Sequence, residues 1–190
     1  MDLVSLSAHK FHGPKGIGAL YVCKPGRFSP FVHGGGQEKG RRGGTENVTG
    51  IVGLGRAAAL AVSREPEVER RIRQLRDDLE RAVLSDIPDS WRNGGSEPRL
   101  PNTANLGFAG LEAEALVLWL DREEICVSTG SACTSGSLAP SHVLTAMGQT
   151  PQQAQGAIRI SLGLHTTRAE VEFVCEKLAL AVGELRRLVP

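Results

Sequence analysis

From Thr103 to the C-terminus, segments with a period of two alternate with segments of helical period. That alternation restricts this part of the chain to a compact unit in which a sheet packs against helices. Residues 103–108 alternate as a strand, 112–120 repeat as a helix, and 125–128 read as a second strand. Residues 140–147 read as a helix started by Pro140 and stopped by Gly148. In the segment Ala157-Ile-Arg-Ile-Ser-Leu-Gly163, Ile158, Ile160 and Leu162 share one face while Arg159 and Ser161 share the other. The last helix opens at a capping box, Thr167 with Glu170 three residues on, and turns Val171, Val174, Leu178 and Leu185 inward.

The earlier part of the chain reads as a different body. Residues 2–7 and 17–23 are expected strands, joined through a Gly-Pro-Lys-Gly turn. Residues 25–50 are glycine-rich, carry Pro25 and Pro30, and form a long irregular segment of the kind that tends to be functional. The small-residue run at 51–63 predicts a tightly packed helix. A longer helix is expected over 66–85, where Val68, Ile72, Leu75, Leu79 and Val83 recur with charges between them. Residues 87–100 are turn-rich.

Composition narrows the class of function. With 190 residues, 41% hydrophobic and 23% charged, the chain is an ordinary globular one that can bury a core. A formal net charge of +1 gives no field that would attract nucleic acid. No apolar run approaches the roughly 20 residues of a membrane helix, and the sequence reads as cytoplasmic. The four cysteines, Cys23, Cys126, Cys133 and Cys175, form no C-x-x-C pair, and no histidine stands at zinc-finger spacing. The run Gly53-x-Gly55-x-x-Ala58 fits a dinucleotide pattern, yet only Ile51 and Val52 precede it where a full strand is required, so helix packing is the preferred reading.

Four features could carry chemistry. Lys10 follows an expected strand beside His9, with Ser7 two residues before that histidine. It is either a solvated surface lysine or a partly desolvated amine suited to Schiff-base chemistry. In GGGQEKGRRGGTEN, the amides of Gly43, Gly44 and Thr45 with Arg41 and Arg42 could cradle phosphate. The alternative is a solvated loop holding a Glu38–Lys39 pair. Cys133 lies among Gly, Ser, Ala and Thr with no bulky side chain to bury it, which favours a reactive thiol; Cys23, Cys126 and Cys175 fit structural positions. Arg159, mid-strand, needs an anion. It could pair with Glu112 or Glu114, or form a fork for a substrate carboxylate. His12, His33, His142 and His165 read as loop or cap residues.

An amine, a phosphate cradle, a nucleophilic thiol and a carboxylate fork together suit pyridoxal 5'-phosphate (PLP) chemistry on a sulfur-containing amino acid. The segments SAHKFHGPKGIGALYV, GGGQEKGRRGGTENV, STGSACTSGSLAPSHVL and AIRISLG resemble, in order and spacing, the signature segments of cysteine desulfurases of the NifS/IscS type. The resemblance implies the C-terminal portion of a PLP fold type I, class V aminotransferase-like protein. On that reading residues 1–55 are the remnant of the large parallel-sheet domain, with its strands and cofactor loops, and 56–190 form the small α+β C-terminal domain.

The resemblance also implies roles. Lys10 matches the lysine that carries PLP, and Ser7 and His9 match its phosphate-binding neighbours. Thr45 matches a threonine that reaches the phosphate of the other subunit, which implies a homodimer. Arg159 matches the residue that holds the substrate carboxylate, and Cys133 the catalytic cysteine. The implied activity converts L-cysteine to L-alanine with a persulfide on Cys133, which supplies an iron-sulfur scaffold or another sulfur acceptor. Family members carry a further region before the lysine. It supplies the ring-stacking histidine, the aspartate on the pyridine nitrogen and the first phosphate loop, so this chain is expected to be the C-terminal half of the enzyme. Alternatives are a sulfur-relay or partner-binding module without PLP, or a related lyase such as selenocysteine lyase.

Overall fold

The computed structural model describes residues 2–24, 29–95, 98–129 and 140–188. They fall into two compact units, 1–65 and 66–190.

In the first unit, β1 (Leu3–Ser7) pairs antiparallel with β2 (Gly18–Val22) in a register running from Leu3 opposite Val22 to Ser7 opposite Gly18. The ribbon is apolar without being buried: Leu3, Leu6, Leu20 and Tyr21 are each about half exposed. A 3-10 turn, Ala8–Phe11, follows β1 and ends at His12 in a left-handed conformation, φ 69°. Helix α1 spans Val48–Val62 and runs unbroken through residue 55. It starts three residues earlier than the small-residue run suggests, because Asn47 caps it by accepting a hydrogen bond from the Gly50 amide at 3.0 Å.

Small residues set how close α1 comes to the turn. A Cβ at Gly53 would lie 2.5 Å from Pro14 Cγ, and one at Gly50 would lie 3.1 Å from Ile17 Cβ. A Cβ at Gly13 would lie 3.2 Å from Ala57 Cβ. The Gly-x-Gly run is therefore part of a packed helix, as its lack of a preceding strand suggests.

The second unit is a four-stranded sheet in the order β3-β4-β6-β5, every neighbour antiparallel. Its strands are β3 (Ser90–Arg92), β4 (Thr103–Phe108), β5 (Ser128–Thr129) and β6 (Ala157–Ser161). The long helices are α2 (Pro66–Asp86), α3 (Ala113–Asp121) and α6 (Arg168–Leu188); two short ones, α4 (His142–Ala146) and α5 (Pro151–Gln155), lie between β5 and β6. One sheet face carries Ala104, Leu106, Phe108, Ile158 and Ile160, and these join Leu75, Leu79, Leu116, Leu120, Leu178 and Val182 in one apolar core. Each fully buried leucine, isoleucine, valine or phenylalanine among them contributes about 2 kcal/mol relative to exposure. The capping box at α6 is formed, with the Glu170 amide donating to Thr167 Oγ1 at 3.2 Å and Glu170 Oε2 accepting from the Thr167 amide at 2.7 Å.

Several expectations shift. The strand expected at 125–128 begins only at Ser128, because the Ile125 amide bonds to the Leu120 carbonyl and closes the end of α3. The helix expected from Pro140 starts at His142, since Ser141 is its cap and the proline precedes it. Strand β3 lies inside the turn-rich segment. Helix α5 was not expected, although Thr150 and Gln153 make a capping box and Pro151 stands at its first position. The charges of α2 are not all on a solvated face. Arg76 is 1% exposed and donates to the Leu100 carbonyl at 2.7 Å, and Glu80 is paired with Arg99.

Candidate active site

Ser7, His9 and Lys10 project from a turn that one buried residue holds in place. Ala8 is completely buried; its amide donates to the Ile17 carbonyl at 3.1 Å and its carbonyl accepts from the Gly13 amide at 2.8 Å. With Ala8 pinned beneath, the side chains on either side of it are exposed. Among the described residues, Lys10 makes no ion pair or hydrogen bond, so its amine stands free for a ligand.

The glycine-rich loop is more committed than the sequence suggests. The Gly43 amide donates to the Val32 carbonyl at 2.8 Å, which removes it from any phosphate cradle. Arg42 donates to the carbonyls of Gly43, 3.2 Å, and Gly44, 2.6 Å, and to Glu38 Oε1 at 3.2 Å. Its guanidinium therefore braces the loop, and Glu38 pairs with Arg42 rather than with Lys39. Glu38 and Lys39 take left-handed backbone angles, φ 54° and 61°, which fold the loop tightly enough for that pair. Gly44 and Thr45 remain exposed.

Cys133 lies outside the described residues, but the strand that leads to it does not. Ser128 pairs with Arg159 and Thr129 with Ile158. The remaining thiols divide differently from the sequence expectation: Cys23 and Cys126 are exposed, and only Cys175 is partly buried. Burial, with smaller contributions from the Asp86 and Glu172 carboxylates, pushes the Cys175 thiol above its ordinary value and keeps it protonated.

Arg159 sits half-buried on β6, opposite Asn105 of β4 on one side and Ser128 of β5 on the other. Among the described residues no carboxylate pairs with it; Glu112 and Glu114 are both exposed. The pair with Glu112 or Glu114 does not form among the described residues. At the next position along the same face Ala157 is covered by Leu144 and Ala154, so α4 and α5 roof that end of the sheet. The cross-strand neighbours of Arg159 could not be named from a single sequence, because they depend on register.

A family model described as aminotransferase class-V matches residues 1–174. The chain belongs to the class-V aminotransferase family. Over all 190 residues, this class-V aminotransferase chain is 51% identical to a cysteine desulfurase of Nostoc sp., covering 48% of that protein. A solved NifS-like protein superposes with a TM-score of 0.85 at 39% identity, over 97% of this chain and 47% of the other. SspA in complex with cysteine superposes with a TM-score of 0.62 at 36% identity, over 88% of this chain and 45% of the other. The family member described here thus spans about half the length of the curated relatives it matches. Its α/β architecture is that of the corresponding half of NifS-like structures of PLP fold type I.

Proposed function

We propose that the chain is the C-terminal half of a PLP-dependent cysteine desulfurase, with residues 1–55 contributing cofactor loops and 56–190 the thiol-bearing domain. The observation that carries this reading is Arg159. A half-buried guanidinium with no carboxylate partner among the described residues is aligned with the strand that runs into the Cys133 segment, which suits an anionic substrate presented to a thiol. Identity of 51% along the whole chain to a protein named cysteine desulfurase supports it.

The part of the PLP donor set present in this chain fits the cofactor. The unengaged amine of Lys10 shares one exposed turn with His9 and Ser7, and no described residue competes for it. Lys10 would hold the carbonyl carbon and Ser7 and His9 the phosphate, while Thr45 would reach the phosphate of a second subunit in a homodimer. PLP, when bound, supplies an electron sink for bonds broken at the substrate carbons.

Arg159 fixes the α-carboxylate of L-cysteine, and the Lys10 amine moves protons at the substrate carbons. The Cys133 thiolate attacks the substrate sulfur. A sulfur-sulfur bond forms on Cys133, the carbon-sulfur bond breaks, and its electron pair stays with the carbon, which takes up a proton to give L-alanine. The persulfide then passes to an iron-sulfur scaffold or another acceptor.

A second reading is a partner-binding or sulfur-relay module that works without PLP. The exposed Leu3, Leu6, Leu20 and Tyr21 favour it for the chain by itself, since an uncovered apolar ribbon pairs with other chains. The test is to add PLP to this chain, alone and with the other half of the fold supplied, and to assay alanine from cysteine. Alanine formed only with the other half present supports the desulfurase reading. No alanine in either case, or full sulfur release by Cys133→Ser, contradicts it.

A further inference from the structure

The sheet face that carries Arg159 holds a polar row in which the family resemblance assigns Arg159 alone. The row crosses the whole sheet: Asn93 just beyond β3, Asn105 on β4, Arg159 on β6 and Ser128 on β5. Trp91, two residues before Asn93, lies on the same face against Gly107. A Cβ at Gly107 would fall 2.3 Å from the indole ring.

The hydrogen bonds along this row fix which way each amide points. An indole Nε1 can only donate, and that of Trp91 donates to Asn93 Oδ1 at 3.0 Å. Asn93 must therefore turn its NH2 group toward β4, where it donates to Asn105 Oδ1 at 2.7 Å. The two residues are also joined by their backbones, the Asn93 amide donating to the Asn105 carbonyl at 2.9 Å. Asn93 is buried, 6% exposed, so its amide has little freedom to reverse. Because β4 lies between β3 and β6, an Asn105 whose oxygen is held from the β3 side presents its NH2 group toward β6, and the residue opposite it there is Arg159. Directly opposed side chains on one face have Cβ atoms about 5 Å apart. Among the described residues neither the Asn105 NH2 group nor the Arg159 guanidinium has an acceptor.

We infer that Asn105 is a second carboxylate-binding residue: its NH2 group and the Arg159 guanidinium together take the α-carboxylate of the amino acid substrate, with Trp91 and Asn93 holding the amide in its donating orientation. The inference rests on the desulfurase reading for the identity of the substrate, and on this chain's own hydrogen bonds for the site. Two neighbouring donors of fixed direction recognise a planar two-oxygen anion better than the guanidinium alone. The pair would select amino acids over thiols that lack a carboxylate.

Two measurements test it. In the protein complemented with its other half, Asn105→Leu, which removes the donor at similar volume, should raise KM for L-cysteine roughly tenfold to hundredfold with kcat little changed. Asn105→Asp, which sets a charge against the substrate, should raise it further. A fall in kcat at constant KM, or no change, overturns the assignment. The second measurement needs no activity: the side-chain amide resonances of Asn105 in the 15N-labelled 190-residue chain are followed during titration with L-alanine and with ethylamine. A saturable shift with L-alanine and none with ethylamine supports the site. No shift, or equal shifts with both, overturns it whether or not the variants fold. Failure of the complemented wild-type protein to form alanine would sink the desulfurase reading and leave this titration to decide Asn105 independently.

Discussion

Substituting alanine at two glycines of α1, only two residues apart, should have unequal effects. At Gly55 an added Cβ meets nothing within 4 Å, so Gly55→Ala gains only the helix propensity of alanine, about 1 kcal/mol. At Gly53 the same methyl would stand 2.5 Å from Pro14 Cγ and 2.9 Å from Pro14 Cδ. Carbon atoms in contact prefer about 3.5–4.0 Å, so α1 or the turn must move by about 1 Å. Such overpacking costs about 1–3 kcal/mol, which cancels or exceeds the propensity gain. The two variants should therefore differ by about 1–3 kcal/mol in the local stability of α1.

Amide exchange followed by mass spectrometry over residues 48–62 measures that difference in the intact chain. In the regime where exchange follows the opening equilibrium, it corresponds to about a five- to hundredfold difference in rate, Gly53→Ala being the faster. Pro14→Ala removes both clashing carbons, so the double variant with Gly53→Ala should recover most of the lost protection, a coupling that a mutant cycle isolates. Equal slowing of exchange in Gly53→Ala and Gly55→Ala would refute the claim that Gly53 sets how close α1 comes to the turn.

Further outcomes follow from the second unit. Glu80 is buried and paired with both Arg99 and Arg92, so Glu80→Ala should lower the denaturant-derived stability by about 3 kcal/mol, and Glu80→Gln by less. Asp78 of α2 is opposed in its charged form by desolvation, yet hydrogen bonds from Arg81, Gln74 and Arg168 outweigh this and hold its carboxyl below the ordinary value. A depressed folded value contributes stability above the ordinary carboxylate range, near pH 4, and loses it as pH falls. Acid titration of Asp78→Asn should therefore show a shallower loss of stability below about pH 4 than the parent. Alkylation by iodoacetamide near neutral pH, read by peptide mass, should label Cys23 and Cys126 readily and Cys175 last; prompt labelling of Cys175 would contradict its burial.

Which parts of this were legible in the sequence depends on the range of the interaction. The strand at Thr103–Phe108, the helix over Pro66–Asp86 and the capping box at Thr167 are written in local periodicity, and they form where expected. Local rules also missed elements they could have found: the Asn47 cap moves a helix start, and Thr150 with Gln153 repeats a signature already recognised at Thr167 and Glu170. What depends on register or tertiary contact could not be read. Nothing local says that Arg42 braces the glycine-rich loop, that the Gly43 amide is taken by Val32, or that Arg76 is buried. At the site, Arg159 was identifiable as an arginine in a half-apolar strand. Its alignment with Asn105 and Ser128 follows only from the pairing of β4, β6 and β5.

The central claim is that Lys10 and Cys133 serve one reaction when the rest of the fold is supplied. It is tested most directly by incubating the complemented protein with PLP and L-cysteine labelled with 35S, and recording the visible absorbance of lysine-bound cofactor, the alanine released and the protein-bound label. The account predicts visible absorbance that Lys10→Ala abolishes, alanine in the wild type, and reducible label on the peptide containing Cys133 that Cys133→Ser removes. Label on any other cysteine, or alanine and label that survive loss of Lys10, would contradict it.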